Sequence, residues 1–340
     1  LFLSNNFKDA VITLRNYVNL RPSGSIGRWY LAQSLDKIGV FDTAAYHLEI
    51  VAREIDSVRK KASLMRARAL YDKADQLNKK NTFSDESYKE VINAYQQVIK
   101  DTVILVYDYQ KIGQSYILIK DTVNALATWE ESVKIDPKEN CRIMDQIGYI
   151  YQRQAKYQQA IDILGKRASI GECSGSNDHI VYYLIGQSYL MSNRADSALT
   201  YLEKSIKVDT NFMFSRISLG DAYASLTKQV EAEAAYNEVI EIGKRDTTKN
   251  AFVMLQAFSK LGQMFLDQKK FNDVLKVGER WAAIFPNEPY AYLFQAIAYH
   301  NKQDGKNACI NYRKVLKIDP KNATATKNLK ILTDNNQCGE

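Results

Sequence analysis

The sequence predicts an all-α chain built of a repeated unit, and three observations carry that prediction. Only 15 Gly and 5 Pro stand against 46% hydrophobic and 25% charged residues in a chain of 340, far fewer turn residues than strand-rich chains need. The pentapeptide IGQSY occurs twice, at 112–116 and at 185–189. Setting the two copies in register brings small and large residues into line along most of the chain, with a period near 34 residues. A catalytic or nucleotide-binding motif normally stands once per active site, so a duplicated pentapeptide points to internal repetition.

The elements follow in order. Residues 5–24 fit only the second helix of a hairpin, through Phe7, Ala10, Leu14, Tyr17 and Pro22. The chain thus opens in mid-repeat, at Leu1 rather than a Met, which leaves open a signal peptide, a lipid anchor or a further domain upstream. The unit at 25–58 carries Leu31, Ala32 and Leu35, then Ala44 and Leu48. Residues 59–105 are irregular: a first helix around 62–77 is followed by NKKNTFSDES, which either lengthens it or forms a loop, before Tyr88, Val91, Tyr95 and Val98 take second-helix slots. Regular units resume at 106–140 (Ile112, Gly113, Tyr116, Ala125, Trp129), 141–178 (Ile147, Gly148, Tyr151, Ala160, Leu164) and 179–212 (Ile185, Gly186, Tyr189, Ala198, Leu202). They continue at 213–254 (Leu219, Gly220, Tyr223, Ala232, Tyr236), 255–288 (Leu261, Gly262, Phe265, Val274, Trp281) and 289–322 (Ala296, Tyr299, Ala308, Tyr312, Val315). A polar-faced helix at 323–334 is expected to cap the last unit, and 335–340 form a tail.

A glycine inside a helix costs about 1 kcal/mol relative to alanine, so its recurrence at Gly113, Gly148, Gly186 and Gly220 needs a packing reason. The spacing predicts that these glycines meet Ala125, Ala160, Ala198 and Ala232 of the second helices, while the large slots fill the space between units. Pro22, Pro137, Pro286 and Pro320 recur where a second helix must stop. The strings DTAA (42–45), DTVNA (121–125) and DSALT (196–200) read as N-caps of second helices, and they also resemble sites of bacterial O-glycosylation.

At this point the pattern L-G-x-x-Y … A-x-x-x-F … P resembles the tetratricopeptide repeat, from Asn5 to about Asn322. The Trp that the family carries at the fourth slot is replaced by Tyr109, Tyr182, Phe258 and Tyr292, other bulky rings. The resemblance implies a right-handed superhelix of about eight hairpins whose first helices line a concave groove. It also implies that slots 2, 5, 9 and 12 of each first helix face a ligand. Carried onto this sequence, the groove is expected to include Trp29, Gln33, Tyr107, Gln110, Gln114, Arg142, Tyr149, Arg153, Tyr183, Gln187, Leu190, Phe214, Ile217, Asp221, Gln263 and Tyr290. Gln33, Gln114, Gln187 and Gln263 share slot 9, where an amide suits an extended peptide backbone or serves simply as a solvent-tolerant helix former. Members that hold carboxylate-terminal peptides place Asn at that slot, so such ligands are disfavoured. The apolar cluster Tyr183, Leu190, Met191, Phe214 and Ile217 is either a partner site or a face covered by the superhelix itself.

Searching for chemistry removes several classes. The Gly-Lys pairs at 165–166 and 305–306 are preceded by Ala160 and His300 where a phosphate loop needs glycine. His47, His179 and His300 lie in three distant units, no C-x-x-C pair exists, and Asn322-Ala323-Thr324 is an isolated sequon. No enzyme, cofactor or metal site is therefore expected. The charge of +7 is scattered without a basic block, which argues against nucleic acid, and no apolar run reaches the ~18–20 residues of a membrane span. The four cysteines are free thiols or form one or two disulfides. Cys141 opens a first helix and Cys173 follows the matching second helix, so their ends share one edge and are placed to pair. Cys309 reads as a small buried apolar residue and Cys338 has no assigned place. A disulfide, with a bias toward Tyr, Lys, Asn and D-T/S-A strings similar to bacterial envelope proteins, favours the periplasm or cell envelope over the cytoplasm. The expected function is a non-catalytic scaffold holding a protein or peptide partner. The alternative is a ligand-sensing, regulatory segment of a longer signalling or envelope-assembly protein.

Overall fold

A computed structural model describes residues 2, 4–82, 84–100, 102–171, 173 and 178–339. Eighteen α-helices and no strand occur among the described residues. Most of the loop GECSGSND, with Glu172 and 174–177, lies outside them, as do Phe83 of the inserted segment and Glu340 of the tail. The chain divides into two compact units: residues 1–147 with 170–174, and residues 148–169 with 175–340.

The first unit holds α1 (Phe7–Leu20), α2 (Ser25–Lys37), α3 (Phe41–Glu54), α4 (Arg59–Lys79), α5 (Asp85–Ile99), α6 (Val106–Leu118) and α7 (Thr122–Ile135). The inserted segment lengthens a helix: α4 runs for 21 residues and ends inside NKKNTFSDES. Tyr88, Val91, Tyr95 and Val98 on α5 are buried together with Leu31, Leu35, Leu70 and Ile112 in one core. Helix α8 (Cys141–Arg153) contributes its residues 141–147 to this unit and the remainder to the other. A disulfide joins Cys141 to Cys173 with their Cα atoms 6.1 Å apart.

The second unit continues with α9 (Tyr157–Ser169), α10 (Asp178–Met191), α11 (Ala195–Val208), α12 (Met213–Ser225) and α13 (Gln229–Gly243). It ends with α14 (Thr247–Asp267), α15 (Phe271–Ile284), α16 (Pro289–Asn301), α17 (Gly305–Ile318) and α18 (Ala323–Asp334). Helix α14 is again 21 residues long and begins eight positions before Leu255, where the repeat alignment starts its unit. Its early start is stabilised by Asp246, whose side chain accepts from the Lys249 N–H. Helix α18 packs on α17 through Ala325 and Leu332.

Each recurrent glycine faces the large residue of the second helix more closely than the expected alanine, and at Gly186 the Ala198 carbonyl also lies 3.4 Å from where a Cβ would stand. A Cβ at Gly113 would run into the ring of Trp129, one at Gly186 would lie 2.7 Å from Leu202 Cγ, and one at Gly220 would lie 2.5 Å from Tyr236 Cε1. Gly148 stands in the same relation to Leu164. The void left by each glycine therefore admits the large residue one turn beyond the alanine, and the alanine is buried beside it. Trp129 is 1% exposed, so the apolar surface it hides is worth about 4–6 kcal/mol before entropy. In the hairpin of α14 and α15 the equivalent large slot is itself a glycine, Gly278, and Gly262 instead faces the ring of Phe294 on α16.

Capping also departs in part from expectation. Asp121 caps α7, its side chain accepting from the Asn124 N–H. Asp42 and Asp196 do not cap, because α3 and α11 begin earlier, after Val40 and Arg194. The turn sets that start. Gly39, Lys120 and Asn193 each adopt positive φ, and the N–H of the next residue (Val40, Asp121, Arg194) then bonds back to the first helix at Leu35, Tyr116 and Tyr189. Pro22, Pro137, Pro286 and Pro320 each lie two residues beyond the last residue of a helix.

Cys309 corrects the sequence reading outright. It is fully buried in α17, but disulfide-bonded to Cys338, with Cα atoms 5.4 Å apart. The tail is drawn back across the start of α17, where Gly305 has room for no side chain against the Gln337 carbonyl.

Candidate partner-binding site

Within the second unit, first helices of successive hairpins line one open cavity of about 650 Å³. Helix α10 supplies Tyr183 and Gln187, α12 supplies Phe214, Ile217, Ser218 and Asp221, and α14 supplies Phe252, Leu255, Gln256, Ser259 and Lys260. Trp281 of α15, with Glu288 and Tyr290 at the start of α16, completes the wall. The side chains reach one space because residues three and four apart on a helix share a face. Phe252 is 64% exposed and Tyr290 52%, a large apolar expanse beside a polar floor.

The polar groups are organised. Asp221 accepts from the Tyr236 hydroxyl at 2.7 Å and from Lys260 Nζ at 2.9 Å. Burial, then the Asp221 charge, push the Tyr236 phenol far above its usual range, so it remains a donor to that carboxylate. Gln187 donates to the Ser218 hydroxyl. Burial raises the Tyr183 phenol, partly offset by its hydrogen bond with Ser218. Glu288 caps α16, accepting from the Tyr290 N–H at 3.3 Å. Across Asp221, Lys260 and Glu288 the formal charge is −1.

A second cavity, of about 630 Å³, belongs to the first unit and includes Phe2, Phe7, Gln33, Asp36, Lys61, Arg68, Asp72, Tyr107 and Lys111. Lys111 is held there between the rings of Tyr71 and Tyr107, 4.5 and 4.6 Å away, and bonds Asp72 at 2.7 Å. Burial, then the charge of Asp72, raise the Asp36 carboxyl above its usual value.

The expected groove residues separate accordingly. Tyr183, Gln187, Phe214, Ile217, Asp221 and Tyr290 line the cavity of the second unit, and Gln33 and Tyr107 that of the first. Trp29 lies partly buried against Leu48 and Val51, with Lys61 Nζ 5.5 Å from its ring. Gln110 is turned to its own unit, donating to Glu139 and Asn140. Gln114 is half-buried. Arg142, Tyr149 and Arg153 are exposed on α8 and line neither cavity. Leu190 lines a separate hollow of about 460 Å³ with Asn193 and Arg194, and Gln263 donates to Asp267. Phe252, Lys260, Trp281 and Glu288 were missed. Phe252 precedes the expected start of its helix, and Trp281 reaches the cavity from a second helix, which a slot rule for first helices never examines.

Among the described residues no helix is long and apolar enough to cross a membrane. The tetratricopeptide repeat family profile matches residues 180–212 and 289–322. No curated protein matches the chain. Among solved structures, a tetratricopeptide repeat protein from Parabacteroides merdae is 13% identical, over 78% of this chain and 98% of that one, with a TM-score of 0.51. The C-terminal part of a TPR repeat-containing protein from Cytophaga hutchinsonii is 15% identical, over 97% and 96%, with a TM-score of 0.41. YrrB, described as a TPR protein with an unusual peptide-binding site, is 15% identical over 73% and 100%, with a TM-score of 0.39. Repeats of this kind generally serve as non-catalytic protein-interaction scaffolds. With hairpins α10–α11 and α16–α17 matched by the profile and the same hairpin recurring along each unit, the chain is similar to multi-repeat tetratricopeptide proteins and carries that repeat in those two hairpins.

Proposed function

We propose that this protein is a non-catalytic scaffold that receives a segment of a protein partner in the cavity of its second unit. The single observation that carries the reading is the cavity wall. Tyr183, Phe214, Phe252 and Tyr290, from four successive first helices, stand around a floor of paired polar groups. Its volume of about 650 Å³ falls in the range of sites that enclose a ligand, and exposed rings at a rim suit burial by a partner. The two disulfides support folding in an oxidising compartment, which agrees with the periplasm or cell envelope.

Site-specific photocrosslinking in the source cells tests this. A benzophenone side chain at position 290 is expected to trap a discrete protein adduct, whereas the same group at Val230, exposed on α13, is expected to trap none. Equal adducts at both positions, or none at either, refute the site.

A further inference from the structure

The chain carries a formal charge of +7, yet the wall of the second unit's cavity holds two carboxylates, Asp221 and Glu288, against one ammonium, Lys260. Asp221 is satisfied from within the protein: Lys260 Nζ donates to it at 2.9 Å and the Tyr236 hydroxyl at 2.7 Å. Glu288 is not. It is half-buried, accepts from the Tyr290 N–H at 3.3 Å, and has no cation paired with it among the described residues. The start of α16 offsets about half of that charge through its free N–H groups, which leaves the position negative.

A partner segment seated on this wall covers Glu288 as well as the rings. An anionic side chain would enter against net negative charge. An uncharged one would strip water from the Glu288 carboxylate and return no counter-charge, which is costly for a buried ion. A cation avoids both losses. The rings favour it further, because an aromatic face attracts a positive group within about 6 Å of its centre. Tyr290, two residues from Glu288, is 52% exposed, Phe252 64% and Phe214 37%, so these faces are open to a partner. The first unit shows the same chemistry within the chain: Lys111 Nζ lies 4.5 and 4.6 Å from the rings of Tyr71 and Tyr107 while bonded to Asp72.

We infer that the partner segment brings a lysine or arginine side chain into this cavity and that Glu288 is the residue that selects it. This rests on the scaffold reading given above and adds the chemistry of what is held.

A displayed library of random dodecapeptides, selected on the immobilised full chain, supplies the probes. Enriched peptides are expected to share a lysine or arginine. Synthetic twins carrying acetyl-lysine or citrulline there keep the length and lose the charge, and are expected to bind about tenfold more weakly. Glu288→Gln keeps an acceptor for the Tyr290 N–H, so α16 stays capped, and removes the negative charge. In that variant the difference between twins is expected to fall below about threefold, the part the rings supply. Enriched peptides without a basic residue, equal binding of the twins to the wild type, or a difference that Glu288→Gln leaves above that limit overturns the inference. If the enriched peptides still lose affinity in Phe214→Ala with Tyr290→Ala, the scaffold reading stands. A selection without binders, or binders indifferent to that double substitution, overturns the site itself.

Discussion

Asp108 and Arg68, 40 residues apart, are joined as a fork: guanidinium Nε and Nη2 reach the two carboxylate oxygens at 2.8 and 2.7 Å. Asp108 is fully buried and also accepts from the Tyr95 hydroxyl at 3.2 Å and the Leu105 N–H at 3.1 Å. One carboxylate thus ties α4, α5 and the start of α6 together, where the inserted segment breaks the regular repeat. Asp108→Asn is expected to destabilise the first unit by about 3 kcal/mol, because the amide loses the charge and turns one acceptor into a donor facing Arg68. Urea unfolding followed by circular dichroism measures it, and a loss under about 1 kcal/mol contradicts the account.

Two glycines in helices should respond to alanine with opposite signs. At Gly113 a methyl group collides with Trp129, so Gly113→Ala is expected to cost about 1–3 kcal/mol. At Gly165 nothing lies within 4 Å, so Gly165→Ala is expected to stabilise α9 by up to about 1 kcal/mol. Melting temperatures of the two variants that move in the same direction would show that the helix interior, not the ring, decides.

All four cysteines are paired, over sequence separations of 32 and 29 residues. Alkylation of the unfolded chain without reductant is expected to add nothing, and after reduction to add four groups. Replacing Cys309 and Cys338 together by serine is expected to cost about 3–4 kcal/mol from the loop that is no longer closed in the unfolded chain. Thiols that react before reduction contradict the pairing.

His47 is buried with Nδ1 3.2 Å from Arg28 Nη1, so the neutral ring accepts from the guanidinium. Burial first, then the charges of Arg28 and Arg15, hold its pKa below the usual histidine value of 6.5. The unfolded chain therefore binds the proton more readily between the two values, and the contribution of His47 is complete above 6.5 and lost as pH falls through the folded value. His47→Gln keeps an acceptor and removes the titration. The wild type is expected to lose more of its denaturation midpoint between pH 7.5 and pH 5.5 than this variant, and identical losses refute the assignment.

The repeat was legible because small residues that packing demands recur at fixed spacing, and Gly113, Gly186 and Gly220 are visible in a self-alignment. Which residue enters the gap was not, since spacing names a shared face and not the reach of a side chain, so Ala125 was chosen where Trp129 fills. Capping failed at Asp42 and Asp196 for a related reason: the helix start is set by the positive-φ residue of the turn, at Gly39 and Asn193, which composition does not reveal. At the cavity, first-helix slots led to Tyr183, Phe214 and Tyr290, but Trp281 comes from the other helix and Phe252 from an extension that the 34-residue frame assigns to a turn.

The bond between Cys309 and Cys338 gives the end of the chain a mechanical character. Tension applied beyond Cys338 passes through the sulfurs into the middle of α17, so the segment between the two cysteines, including α18, is shielded from stretching. A tether attached there pulls on a helix at the heart of the last hairpin rather than peeling away its cover, and that hidden length is released only when a thiol opens the clasp.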